Sequence, residues 1–233
     1  AQIKTALIFA GLNINGKFSI REKIPTRNHT EKLLQHLKVK HRVIKEKDGS
    51  ILIQMKGPYE INSKNIKVAG DPSSAAFFIV GALINPGSKI TLKNVMLNPT
   101  RIEYIKILKK MGGNISIKKT NKISGEQCGN ISVSYSKLKG IEIDKSSSPY
   151  LIDEYPILSI AASCAIGDTK MEGLGELRHK ESDRIISIVS NLKRVGVKAQ
   201  NIDDSILITG SQKLNSNKCK IKSYGDHRIA CSF

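Results

Sequence analysis

The sequence predicts an α/β fold made from one structural unit used several times, and three observations carry that prediction. Glycines at 16, 87 and 167 each open a short strand-like run (Gly16-Lys-Phe-Ser-Ile, Gly87-Ser-Lys-Ile-Thr-Leu and Gly167-Asp-Thr-Lys-Met), at spacings of 71 and 80 residues. Each run is preceded by a stretch that is apolar nearly all round, as a buried helix is. Each is followed, after a charged loop, by a stretch with apolar residues three and four apart, as an amphipathic helix shows. Self-similarity at a fixed period is the mark of a repeat architecture.

Taken in order, the first copy places its helices over residues 5–12 and 29–37, and the second over 73–84 and 101–112. The third has helices at 155–166 and 182–195, the latter carrying Ile185, Ile186, Ile188, Val189 and Leu192 and ending near Gly196. A fourth, incomplete copy opens at Gly225-Asp-His-Arg228. The apolar first helix of every copy is expected to be buried. Their N-terminal ends carry Ala1-Gln2, Asp71-Pro-Ser-Ser, Asp153-Glu154 and Gly225-Asp-His-Arg. A helix N-terminus offers unpaired N–H groups and a positive partial charge, so several such ends could converge on one anionic ligand. Asp71 and Ser73 are read as N-caps. Asp153 is not, because Glu154 beside it leaves one carboxylate beyond what capping needs.

Composition narrows the classes. The 233 residues carry 38 Lys and Arg against 20 Asp and Glu, a net charge of +18. Such a balance suits anionic partners, but the lysines are scattered, aromatics make up only 5% and Trp is absent, so the stacking platform of a single-strand binder is missing. A nucleic-acid partner is not expected. Cys128, Cys164, Cys219 and Cys231 show no Cys-x-x-Cys and no metal spacing, as befits reduced thiols in the cytoplasm. The longest apolar run, 75–84, is far short of the roughly 20 residues that span a bilayer, and no signal peptide is visible, so no membrane is expected. The chain starts at Ala1 without Met and stops at Phe233 just as a new element opens, and it is expected to be a piece of a longer protein.

The densest charge lies in Gly175-Glu-Leu-Arg-His-Lys-Glu-Ser-Asp-Arg-Ile185, seven ionisable side chains in eleven residues. With a helix starting near Glu181 or Ser182, Lys180 and Arg184 are four apart and share one face. Cations are on the wrong end of a helix dipole there. An anionic ligand explains them better, with Glu181 available for proton transfer. Arg178, His179 and Asp183 need no role beyond the surface. Two further clusters, Gly225-Asp-His-Arg-Ile-Ala and Pro25-Thr-Arg-Asn-His-Thr-Glu31, also open helices.

These segments resemble a known family. Arg-His-Lys-Glu-Ser-Asp-Arg-Ile (178–185), Gly-Asp-His-Arg-Ile-Ala (225–230), Gly-Asp-Pro-Ser-Ser-Ala-Ala (70–76) and Asp-Glu-Tyr-Pro-Ile-Leu (153–158) look like motifs of the 5-enolpyruvylshikimate-3-phosphate (EPSP) synthase family, in the family's order along the whole chain. The resemblance implies a two-domain inside-out α/β barrel, the enolpyruvyl transferase fold, built from βαβαββ units with the active site in the cleft between domains. Residues 1–69 would be part of the first domain and 70–233 most of the second. It implies transfer of the enolpyruvyl group of phosphoenolpyruvate to the 5-hydroxyl of shikimate 3-phosphate, with no cofactor and no metal, by a monomeric cytoplasmic enzyme. Both substrates are small anions, for which Arg offers forked recognition.

Position by position, Gln2 and Arg27 match substrate contacts, Arg27 on the shikimate phosphate. Asp153 matches the acid on the 5-hydroxyl that accepts its proton, Lys180 a shikimate-side lysine, and Glu181 the group that transfers a proton at C3. Arg184 and Arg228 match the arginines that hold phosphoenolpyruvate, and His227 is placed just outside them. A lysine–serine–arginine segment, a further arginine segment and a C-terminal lysine of the family are absent. The chain by itself is therefore expected to be inactive.

Overall fold

The computed structural model describes residues 1–62, 64–211 and 219–233. The chain forms two compact units, one of residues 1–69 with 120–128, the other of residues 70–119 with 129–233. The first, unit 1, runs α1 (Gln2–Gly11), β1 (Gly16–Glu22), α2 (His29–His36), β2 (His41–Lys45) and β3 (Ile51–Gly57). Next along the chain come α3 (Pro72–Ile84), β4 (Lys89–Met96), α4 (Glu103–Lys110), β5 (Asn114–Ile123) and β6 (Glu126–Ser134). The turn between β5 and β6 falls within 120–128 and so groups with unit 1. The rest of unit 2 holds β7 (Glu142–Ile143), α5 (Ser148–Leu151), α6 (Tyr155–Ser163), β8 (Ile166–Met171), α7 (Arg184–Arg194), β9 (Lys198–Ile202), β10 (Ser205–Ser211) and α8 (His227–Ser232).

The repeat is visible in the sheets. Three times the order helix, strand, helix, strand, strand recurs, and three times the last strand inserts between the other two, giving β1-β3-β2, β4-β6-β5 and β8-β10-β9. The third sheet gains β7 at its edge, parallel to β8, and Gly70 makes the corresponding parallel bridge to Val95 of β4. The recurring glycines have a common backbone reason. Gly16, Gly87 and Gly167 sit at φ of +129°, +79° and +89°, where an L side chain is strained. A Cβ there would meet nothing within 4 Å, so conformation and not space selects glycine.

Capping fixes where α3, α7 and α8 of unit 2 begin. Asp71 accepts from the amides of Ser73 and Ser74, with Pro72 in the first turn of α3. Ser73 does not cap; its hydroxyl serves elsewhere. Asp183 accepts from Ile186 N at 3.1 Å, so α7 starts at Arg184 and not near Glu181 or Ser182. Residues Gly175–His179 form a 3-10 turn and Lys180 is extended (φ −95°, ψ −161°). Lys180 and Arg184 therefore do not share a helix face. Asp is a better N-cap than Glu, and it is Asp183 that sets the boundary.

The burial of the first helices is uneven. Every residue of α6 is buried, packed among α3, α4, α7, α8 and β10. On α3, Ala75, Ala76, Ile79, Val80 and Leu83 are buried while Phe78 is exposed. On α1 only Lys4, Ile8 and Gly11 are buried, and Ile3, Leu7 and Phe9 are exposed. The expectation that all three would be enclosed fails for α1, which packs within unit 1 chiefly on β1 and β3. Its apolar contacts stop at a small core of Ile8, Leu12, Leu34, Val39, Ile53 and Met55. No helix among the described residues is long and apolar enough to cross a membrane.

Candidate active site

In unit 2 the N-terminal ends of α6, α7 and α8 come together around one arginine. Arg184, the first residue of α7, has a side chain only 1% exposed. Its Nε donates to Asp226 Oδ2 at 2.8 Å, and its Nη2 donates to Glu181 Oε2 at 2.5 Å. Its Nη1 lies 3.6 Å from Asp153 Oδ1, outside hydrogen-bond range, and is a buried donor with no hydrogen-bond partner among the described residues. Arg228, in the first turn of α8, places Nη2 4.0 Å from the other oxygen of Asp153. Thus Asp153 lies between two guanidinium groups, and Arg184 is surrounded by three carboxylates.

Burying a charge is costly unless it is paired. Asp226, fully buried, answers that requirement for Arg184. Burial is the largest influence on the Asp226 carboxyl and pushes it up, but the hydrogen bonds from Arg184, the Arg228 amide and Ser182, with the Arg184 charge, leave it below its ordinary value. Asp226 is thus an ionised, permanent partner. Glu181 is half exposed and Lys180 exposed, both at the open side of the cluster. The unused Nη1 donor of Arg184, with Arg228 beside it, suits a planar or tetrahedral oxyanion that brings its own acceptors.

A second set of contacts backs Asp153. The next residue, Glu154, is 2% exposed and, although at the N-cap position of α6, makes no side-chain cap. It accepts instead from Ser73 Oγ at the start of α3. Arg101 donates to the same Ser73 Oγ at 2.7 Å and to Asp71 Oδ1 at 3.1 Å. So Asp71 caps as the sequence suggests, whereas Ser73 and Glu154 join two helix ends.

Within unit 1, Gln2 and Arg27 line one pocket of about 380 Å³ with Ala1, Thr5, Ala6, His29 and Thr30. Lys4 on α1 is buried and bonds Glu22 at 3.0 Å and Glu31 at 2.8 Å. Thr5 and Thr30 hydroxyls meet at 2.6 Å, tying α1 to α2. His29 Nδ1 lies 2.6 Å from Glu126 Oε1, and Lys32 bonds the other oxygen at 2.8 Å.

The structure therefore gathers Asp153, Glu181, Arg184 and Arg228 in unit 2, and Gln2 with Arg27 in unit 1. His227 is exposed. Arg178 bonds Asp183, Asp204 and the Asp203 carbonyl, a structural use. Sequence reasoning did not assign Asp226, Ser73, Glu154 or Arg101 to this cluster. Their partners lie between 28 and 81 residues away, beyond any local pattern, although the excess carboxylate at 154 was a usable signal.

The model of the EPSP synthase (3-phosphoshikimate 1-carboxyvinyltransferase) family matches residues 1–233. The chain belongs to the EPSP synthase family. It is 43% identical to the 3-phosphoshikimate 1-carboxyvinyltransferase of Sphingopyxis alaskensis and 42% identical to that of Clostridium tetani, in each case over 100% of this chain and 52% of the relative. An EPSP synthase structure from Acinetobacter baumannii superposes with a TM-score of 0.89 at 39% identity, over 100% of this chain and 53% of that one. The enolpyruvyl transferase NikO from Streptomyces tendae, at 13% identity, covers 89% of this chain and 45% of its own with a TM-score of 0.62, a likeness of fold alone. The chain thus spans about half the length of the EPSP synthases it matches.

Proposed function

We propose that this chain is part of an enzyme that moves the enolpyruvyl group of phosphoenolpyruvate onto the 5-hydroxyl of shikimate 3-phosphate, releasing phosphate. The observation that carries the reading is the Arg184 cluster in a chain that matches the family throughout: a buried arginine with a vacant donor, flanked by Arg228 and by Asp153. In this reading the 5-hydroxyl oxygen bonds C2 of phosphoenolpyruvate while Asp153 takes its proton. Glu181 supplies a proton to C3, giving a tetrahedral intermediate. Loss of phosphate with return of a C3 proton then restores the double bond. Arg184 and Arg228 hold the phosphoenolpyruvate anion, while Lys180 lies on the shikimate side. Gln2 and Arg27 bind shikimate 3-phosphate. Fixed cations matter most where charge develops in the transition state, because they need no reorganisation then. The partners are small molecules, and the setting is a cytoplasmic monomer.

The test is phosphate release from the two substrates by the polypeptide of the complete reading frame. Turnover is expected, with a fall of roughly 10²–10⁴-fold in kcat for Asp153→Ala, the usual range for a positioned proton-transfer group. No phosphate release by the wild type refutes the activity. Full activity in the variant refutes the role of Asp153.

A further inference from the structure

Asp153 stands in the turn between α5 and α6, with its carboxyl between Arg184 and Arg228. The residue after it closes that turn. Glu154 donates its amide to Leu151 O at 2.8 Å and accepts from Leu158 N at 2.9 Å. Its side chain, almost fully buried, is pinned to Ser73 on α3, and Ser73 is pinned in turn by Arg101. The spacing between Asp153 and the two arginines therefore depends on an anchor in another repeat of unit 2.

We infer that Glu154, held by Ser73 and Arg101, is a positioning residue that sets where the Asp153 carboxyl stands, an inference that rests on the role of Asp153 proposed above. The charged and titratable groups that act on it are Arg101 just before α4, Tyr104 on α4, Asp153 before α6 and Arg228 on α8. Burial is the largest influence on the Glu154 carboxyl and pushes it up. The Ser73 hydrogen bond opposes this, the Asp153 charge adds to it, and Arg101 and Arg228 oppose it, leaving the acid above its ordinary value. Glu154 holds by accepting a hydrogen bond from the Ser73 hydroxyl, which the oxygen of a carboxamide can accept as well.

That last point separates positioning from mere structure. In the protein of the complete reading frame, Glu154→Ala is expected to lower kcat by roughly 10–100-fold, the loss seen when a supporting partner is removed, with KM for both substrates changed by less than about threefold. The limb of the pH–rate profile that reports the proton acceptor should shift. Glu154→Gln should restore kcat to within about threefold of wild type, and Ser73→Ala should move in the direction of Glu154→Ala by a smaller factor. Glu154→Ala should cost little more in a background already carrying Asp153→Ala, since the two act as a unit. An unchanged kcat and pH profile in Glu154→Ala overturns the inference even if the melting temperature falls, and so does a Glu154→Gln enzyme as slow as Glu154→Ala. An inactive wild type instead overturns the reading on which the inference stands, and the two failures are told apart by that control.

Discussion

Helices α1 and α6 hold the same place in the repeat, and both are apolar on nearly every side, yet only α6 is enclosed. Each residue of α6 is buried among four helices and a strand, while α1 packs chiefly on one sheet and leaves Ile3, Leu7 and Phe9 in solvent. The charges at their starts differ in the same way. Asp153, at the entrance to α6, stands against a fully buried arginine, whereas Gln2, which begins α1, lines an open pocket. An apolar surround tells that a helix can be buried; how many neighbours it has decides whether it is.

The contrast yields three tests, all read as urea unfolding of the 233-residue chain. The largest effect should come from Arg184→Ala, which leaves Asp226 buried without its cation and is expected to cost about 3–5 kcal/mol. A cost under about 1 kcal/mol would mean that Asp226 finds water or loses its charge, and that the α6 end is less closed than described. Next, Leu158→Ala on α6 should cost about 2–5 kcal/mol as a fully buried truncation, against no more than about 0.5 kcal/mol for Leu7→Ala on α1. Equal costs would erase the comparison. The smallest effect is a change of slope with pH, and here the two units are alike. Glu22 in unit 1 and Asp226 in unit 2 both lie below their ordinary values of 4.5 and 3.8. For Glu22, burial raises and the bonds from Thr26 and Lys4 more than compensate. A depressed carboxyl contributes stability that is whole above its ordinary value and drains away as pH falls through the folded one. The urea midpoint should therefore drop below about pH 4, and Asp226→Asn should flatten part of that drop. A midpoint flat down to pH 2 would contradict both assignments.

Periodicity and special residues carried much of the fold into view. The glycines at 16, 87 and 167 mark a backbone demand that only glycine meets cheaply, and the three-and-four spacing of Ile185, Ile188, Val189 and Leu192 reports the buried side of α7. What stayed hidden depends on distance along the chain. The start of α7 was displaced because Glu181, Ser182 and Asp183 all resemble starts, and only the bond to Ile186 N distinguishes Asp183. Asp226 as the partner of Arg184, and Glu154 as the partner of Ser73, are tertiary facts separated by 42 and 81 residues. The residues assigned to substrate came from motif resemblance. The carboxylates that hold those residues in place, Asp226 and Glu154, lie inside the same motifs, but the resemblance named no partner for either.

The grouping of residues 120–128 with unit 1 has a consequence in time. A ribosome makes residues 1–69 before residues 120–128, but the carboxylate that binds His29 and Lys32 is Glu126, 97 and 94 residues further along the chain. At the several residues per second of ordinary synthesis, helix α2 spends seconds with that histidine and lysine waiting for an acid not yet made. Unit 1 is first in sequence, yet it is complete only after part of unit 2 has been made.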